Sequence, residues 1–209
     1  MLSNDFLPIP VLVLHIRRGD FQEHCRNLAE WSASYTGFNS FPEFRVRDKF
    51  DVPRITGHQA KKEADAFFEV PSMDERKAIY ARHCYPDIPQ IVKRVRDVVH
   101  DYNKFILRAR GSKATNGVGN AALTRLYIMT NGDRAWLEEV KGALLRDAKL
   151  SRSSTSTEWQ FGWAWENAST SRDLHLGWEE KGVAQALDMY LAQRAELFVG
   201  NGVSGHRKF

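Results

Sequence analysis

Residues 11–21 read VLVLHIRRGDF: an apolar run passes straight into His15, Arg17, Arg18 and Asp20, with Gly19 before the aspartate. A short continuous apolar run fits a strand buried on both faces, as in a parallel sheet. Such sheets bind ligands in the crevice beyond the carboxyl ends of their strands. On an extended chain, side chains two apart share a side, so His15 and Arg17 are expected to face one space. Two polar groups aimed at one crevice suit an anion. The same residues also fit a plainer reading, in which Arg17, Arg18 and Asp20 form a local ion-pair cluster closing a surface turn. The local pattern leaves both open.

The rest of the chain supplies partners for that strand. Phe21, Cys25, Leu28, Ala29 and Trp31 roughly cover one helical face over 21–31. Residues 33–86 show no clear period and read as an irregular insertion within a single 1–209 domain. Ile88, Ile91, Val92, Val95, Val98 and Val99 mark a helix from Pro86-Asp87 to Asp101. Residues 111–120, GSKATNGVGN, read as a flexible loop, and TRLYIMTN (124–131) as a second apolar strand. A helix over 133–149 and a Ser/Thr linker over 151–157 follow. Trp159, Phe161, Trp163 and Trp165 alternate like strand residues over 158–167; stacking on a sugar is one use of them, core filling the preferred one. A helix over 182–194 then runs into AELFVG (195–200), a third strand. Strand–helix alternation predicts an α/β domain with a parallel sheet.

Composition narrows the function classes. A net charge of +4 and a pI near 9.1 suit an anionic small ligand but fall short of a nucleic-acid footprint. Lys93, Arg94 and Arg96 could line a basic groove, though they lack interleaved aromatic residues, and a solvated helix face is the preferred reading. The longest apolar run is too short to span a bilayer, and MLSNDFLPIP has no signal-peptide pattern, so no membrane segment or leader is expected. Two cysteines, Cys25 and Cys84, allow one disulfide; two free buried thiols are the expectation taken here. Asn167-Ala168-Ser169 is a glycosylation sequon, relevant only in the secretory pathway.

Most short motifs fail on context. Gly117-x-Gly119-x-x-Ala122 precedes a strand instead of joining a strand to a helix, as a dinucleotide fingerprint must. Arg18-Gly19-Asp20 spells an adhesion tripeptide, but it closes a buried strand. No phosphate-loop sequence, nucleophile elbow or histidine pair with metal spacing occurs.

Three strand ends remain: HIRRGD, YIMTN and FVGNGVS. Together they resemble the GDP-fucose-dependent fucosyltransferases, in particular the protein O-fucosyltransferase-like group and its α1,6-fucosyltransferase relatives. The resemblance spans Val11 to Ser204, with the first motif the strongest. It implies a Rossmann-like fold, the carboxyl-terminal, donor-binding half of a GT-B glycosyltransferase. It further implies that Arg17 grips the β-phosphate of GDP-fucose as the central catalytic group, and that His15 contacts the nucleoside. Arg18 and Asp20 would shape that motif, Asp188 would accept hydrogen bonds from the guanine edge, and Ser204 with the Gly205 backbone would hold the β-phosphate. The expected activity is inverting transfer of fucose to a hydroxyl of a glycan or protein acceptor, with no metal or other cofactor. The amino-terminal half of such an enzyme, with its acceptor cleft, is expected to lie outside this chain. The alternative is a non-catalytic GDP-sugar-binding remnant. Relatives act in the secretory lumen; the compartment of this chain stays open.

Overall fold

The apolar run does form a strand buried on both faces. In the computed structural model, which describes residues 8–33, 50, 52–53, 70–110, 123–153 and 163–200, β1 (Ile9–Ile16) is hydrogen-bonded on both edges. Its partners are β2 (Arg125–Thr130) on one side and β4 (Ala195–Gly200) on the other, both parallel to it. A further strand, β3 (Asn167–Thr170), pairs parallel with β2, giving the order β3-β2-β1-β4. Among the described residues five α-helices accompany these strands: α1 (Phe21–Trp31), α2 (Met73–Cys84), α3 (Ile88–Arg110), α4 (Arg134–Ser153) and α5 (Lys181–Arg194). This is the α/β parallel sheet that the alternation predicts, and it is consistent with the Rossmann-like fold that the resemblance implies.

The pleat of β1 sorts its side chains into two cores. Leu12, Leu14 and Ile16 join Leu126, Ile128 and Leu197 under Ile91, Val95 and Val98 of α3 and Leu137, Val140 and Leu144 of α4. Val11 and Val13 join Tyr127, Met129 and Ala195 under Leu191 and Ala192 of α5. Full burial of each large aliphatic side chain contributes roughly 1.5–3 kcal/mol. Local signals start the helices. Asp87 and Gln90 cap α3 reciprocally, each backbone N–H donating to the other side chain at 2.9 and 2.8 Å. At the start of α4 the Trp136 N–H donates to Asp133 Oδ1 at 2.8 Å. Arg96 of α3 pairs with the nearly buried Asp147 of α4, and Lys93 with Asp97 at 2.7 Å, so both of these basic residues already face acids.

Four expectations are corrected. Residues 33–86 are not irregular throughout, because α2 occupies 73–84. Its buried positions are Arg76, Tyr80 and Cys84, so no apolar period announces it; the Ser72–Glu75 capping box does. Residues 34–49, 51 and 54–69 of that stretch lie outside the described residues, as do 111–120, 154–157, Trp159 and Phe161. Residues 151–153, read as linker, end α4. Of the strand placed at 158–167, residues 158–162 lie outside the described residues and 163–166 form no strand; β3 begins at Asn167, and Trp163 and Trp165 are buried in the α3/α4 core ahead of it. Their alternation reflects burial, not a sheet ladder.

The fourth correction concerns the cysteines. Cys25 and Cys84 are not free thiols but a disulfide, with Cα atoms 5.9 Å apart, joining α1 to α2. The two helices lie side by side: Tyr80 Oη donates to the Ala33 carbonyl at 2.6 Å, and Arg76 Nη1 to Ser32 Oγ at 3.3 Å. A separation of 59 residues says nothing about such proximity. Closing a loop of that size lowers the entropy of the unfolded chain by an amount worth about 4 kcal/mol. Reduction, or the double substitution Cys25→Ser/Cys84→Ser, is therefore expected to lower the Tm by about 10 °C. Differential scanning calorimetry with and without reductant checks this, and unchanged melting would contradict it.

Candidate functional site

The chain runs from β1 to β2 to β3 in one direction across the sheet, then returns to place β4 on the far side of β1. That reversal makes the carboxyl end of β1 a topological switch point, where open α/β sheets form their ligand crevice. A cleft of about 620 Å³ lies there. His15 and Arg17 line it from β1 and the turn that follows, Met129 from β2 and Asn131 from just beyond it, Phe198 from β4, and Gln185, Asp188 and Gln193 from α5. His15 and Arg17 thus share one space, as their spacing predicts.

The turn after β1 is fastened to β2 by one side chain. Asn131 Oδ1 accepts from the backbone N–H of Arg18 at 2.6 Å and of Gly19 at 3.2 Å. Its Nδ2 donates to Asp20 Oδ1 at 3.0 Å. Asp20 in turn accepts from Arg17 Nη2 at 3.0 Å, with both side chains exposed. The hydrogen bond from Arg17 holds the Asp20 carboxyl below the usual carboxylate range, aided by backbone hydrogen bonding and by Asn131. Arg17 consequently does two things: it forms the ion pair of the plainer reading, and it lines the cleft.

Arg18 belongs to neither arrangement. Its guanidinium turns to the other side, donates to the Pro86 carbonyl at 2.6 Å, and lies over the rings of Tyr85 and Trp136 at 3.9 and 4.7 Å. It rivets the α2–α3 junction and α4 to the end of β1, and the three-residue ion cluster is corrected to a pair. Gly132 permits this packing, since a Cβ there would stand 2.8 Å from the Trp136 ring. Thr130 completes the join by donating to the Ile16 carbonyl at 2.6 Å and accepting from the Gly132 N–H at 3.0 Å.

On the α5 side, Tyr127 Oη donates to Asp188 Oδ1 at 2.7 Å. Burial, then this hydrogen bond and the nearby carboxylate charge, push the phenol pKa well above its ordinary value, so Tyr127 keeps its proton. His15 lies at the rim of the cleft, with its ring 6.3 Å from that of Phe198. Loss of hydration lowers its pKa from 6.5; Asp188 raises it and Arg17 lowers it, with the lost hydration outweighing the carboxylate. The cleft therefore offers a permanent cation, a carboxylate and a neutral imidazole above a partly apolar wall. Such a set can hold an anionic group at one end and a hydrogen-bond-donating ring at the other.

Ser204 and Gly205 lie outside the described residues. Among the described residues no group of three or more His, Cys, Asp or Glu could hold a metal ion, and no helix is long and apolar enough to cross a membrane. Asn131, Tyr127 and Phe198 were not singled out as site residues from the sequence. Period-two alternation along YIMTN, matched to that of VLVLHI, would put Tyr127 and Met129 on the His15 face. What the fold and cleft define is an α/β domain with a ligand crevice at its switch point. No protein-family model matches the chain, and no curated protein matches it.

Two outcomes are expected. Asn131→Ala leaves two backbone N–H groups without their acceptor and should cost about 1–2 kcal/mol in urea unfolding; no loss would mean that water replaces the amide fully. Stability should also fall on acidification through His15. The unfolded chain takes up that proton near pH 6.5, whereas the folded protein resists it until lower pH. Between the two values the unfolded state binds more protons, so stability rises with pH. Urea titrations at several pH values should show a shallower slope below about pH 6.5 for His15→Gln than for the wild type.

Proposed function

We propose that this chain is the donor-binding domain of a fucosyltransferase-like enzyme, binding GDP-fucose in the cleft at the end of β1 and transferring fucose to a hydroxyl of a glycan or protein. One observation carries the reading. His15, Arg17 and Asp188, which the three-motif resemblance assigns to a single donor site, come from opposite ends of the sequence and line one cleft.

The chemistry suits those positions. Attack of the acceptor hydroxyl on the anomeric carbon expels GDP, and negative charge grows on the β-phosphate as the bond breaks. A guanidinium stays charged through this step, and its planar fork matches two phosphate oxygens. Guanine presents adjacent N–H donors on one edge, for which a carboxylate such as Asp188 is the complementary acceptor. In this reading His15 packs beside the nucleoside as a neutral ring. The GT-B arrangement, with an acceptor half alongside, belongs to the same proposal.

A specific observation keeps the non-catalytic alternative alive. Arg17 is paired with Asp20, so a diphosphate meets a partly neutralised cation, and a site that only binds GDP-sugar needs no more than that. Thermal-shift measurements separate the readings. GDP should raise the Tm more than UDP or ADP, and Arg17→Ala should remove that effect with the fold intact. Equal shifts from all three nucleotides would sink the guanine assignment. Release of fucose from GDP-fucose, to water or to an acceptor, distinguishes an enzyme; saturable binding without turnover distinguishes the remnant.

A further inference from the structure

We infer that Tyr127 is a positioning residue that sets base specificity, by holding the Asp188 carboxylate in the one orientation that offers its second oxygen to the N–H edge of a purine. This rests on the donor-site reading above and names the part of the site that would make it selective. The two partners differ in how firmly they are held. Tyr127 sits on β2, which is hydrogen-bonded on both edges, and its side chain is buried in the core beneath α5. Asp188 sits on α5, which turns Val183, Leu187 and Tyr190 to solvent and meets the sheet core through Leu191 and Ala192. A half-buried carboxylate on such a helix would otherwise sample several rotamers.

The 2.7 Å bond from the phenol removes that freedom. Tyr127 retains its proton, so its hydroxyl is able to donate to Oδ1 throughout the working pH range. Asp188 Oδ2 has no hydrogen-bond partner among the described residues, and Asp188 lines the cleft. Oδ2 is therefore the oxygen with its full accepting capacity left for a ligand. Guanine meets a carboxylate with two adjacent donors, its ring N1–H and its exocyclic amino group. Hypoxanthine has only the first, and adenine presents an acceptor at that ring nitrogen. An oriented carboxylate tells these apart, whereas a rotating one follows whichever donor arrives.

The test is a cycle in which the ligand supplies one of the changes. Binding of GDP, IDP and UDP is measured by calorimetry on the wild type, Tyr127→Phe and Asp188→Asn. Wild type should prefer GDP over IDP by about tenfold or more, the size of one hydrogen bond to a charged group. Tyr127→Phe should weaken GDP by about tenfold while IDP and UDP change by less than about twofold, so that the GDP/IDP ratio collapses towards that of Asp188→Asn. Equal weakening of all three nucleotides would reduce Tyr127 to a structural role and overturn the inference. A full ratio in Tyr127→Phe, with the ratio lost in Asp188→Asn, would overturn it and leave the donor-site reading standing. A wild type with no guanine preference overturns both. Should Tyr127→Phe fail to fold, Asp188→Glu serves instead: it keeps the charge but moves the carboxylate off the phenol. Loss of the ratio there supports the inference, and a retained ratio overturns it.

Discussion

Everything at the cleft depends on β1 being hydrogen-bonded along both edges. A strand held by β2 on one side and β4 on the other cannot rotate about its axis, so its pleat is locked. Leu12, Leu14 and Ile16 must then face α3 and α4, while Val11 and Val13 face α5. The same alternation runs on past the last ladder bond. His15 and Arg17 emerge on the cleft side, and Arg18 swings to the opposite side, where Tyr85, Pro86 and Trp136 receive it. A slip of one residue would exchange Arg17 for Arg18 and aim the wrong guanidinium at the cleft.

The turn after β1 would lose this order without a fastening, because its own backbone bonds are few. Asn131 supplies one from the neighbouring strand end, occupying two consecutive N–H groups and one oxygen of Asp20. Its amide oxygen sits where successive backbone N–H groups would otherwise attract an anion. The positive character of the cleft is thereby left to the Arg17 side chain. The α1–α2 pair adds a second restraint from outside. Its disulfide ends at Cys84, and the next two residues, Tyr85 and Pro86, grip Arg18.

Legibility of this fold in the sequence followed the strength of apolar periodicity. The strands at 9–16, 125–130 and 195–200 and the helices α3, α4 and α5 carry enough Val, Leu and Ile at period two or 3.6 to be read directly, and α1 is read from a rougher stripe of Phe21, Cys25, Leu28, Ala29 and Trp31. Asn167–Thr170 carries none, being a short edge strand of small and polar residues beside the more conspicuous tryptophans. Helix α2 hides for a related reason, since a buried arginine takes one of its three inner positions. The candidate site divides in the same way. His15 and Arg17 are two apart and share a side by elementary geometry. The Asn131–Asp20 and Tyr127–Asp188 contacts join residues far apart in the chain; the β1/β2 register brings the first pair together and the packing of α5 on the sheet the second. The reach of Arg18 to Pro86 depends on a helix junction inside the stretch that read as irregular.

The pairing of Arg17 with Asp20 bears on how an anion would enter. Both side chains are exposed, so water and salt screen the pair, and an exposed pair of this kind is readily exchanged. A diphosphate carries more charge than a carboxylate and offers several oxygens to the same planar fork, which favours it in that exchange. Asp20 cannot drift far when displaced, because Asn131 still donates to its Oδ1. In the proposed donor site the carboxylate would therefore act as a tethered placeholder. It pairs with the guanidinium along the turn, and it would remain close enough to restore that pair once an anion departs.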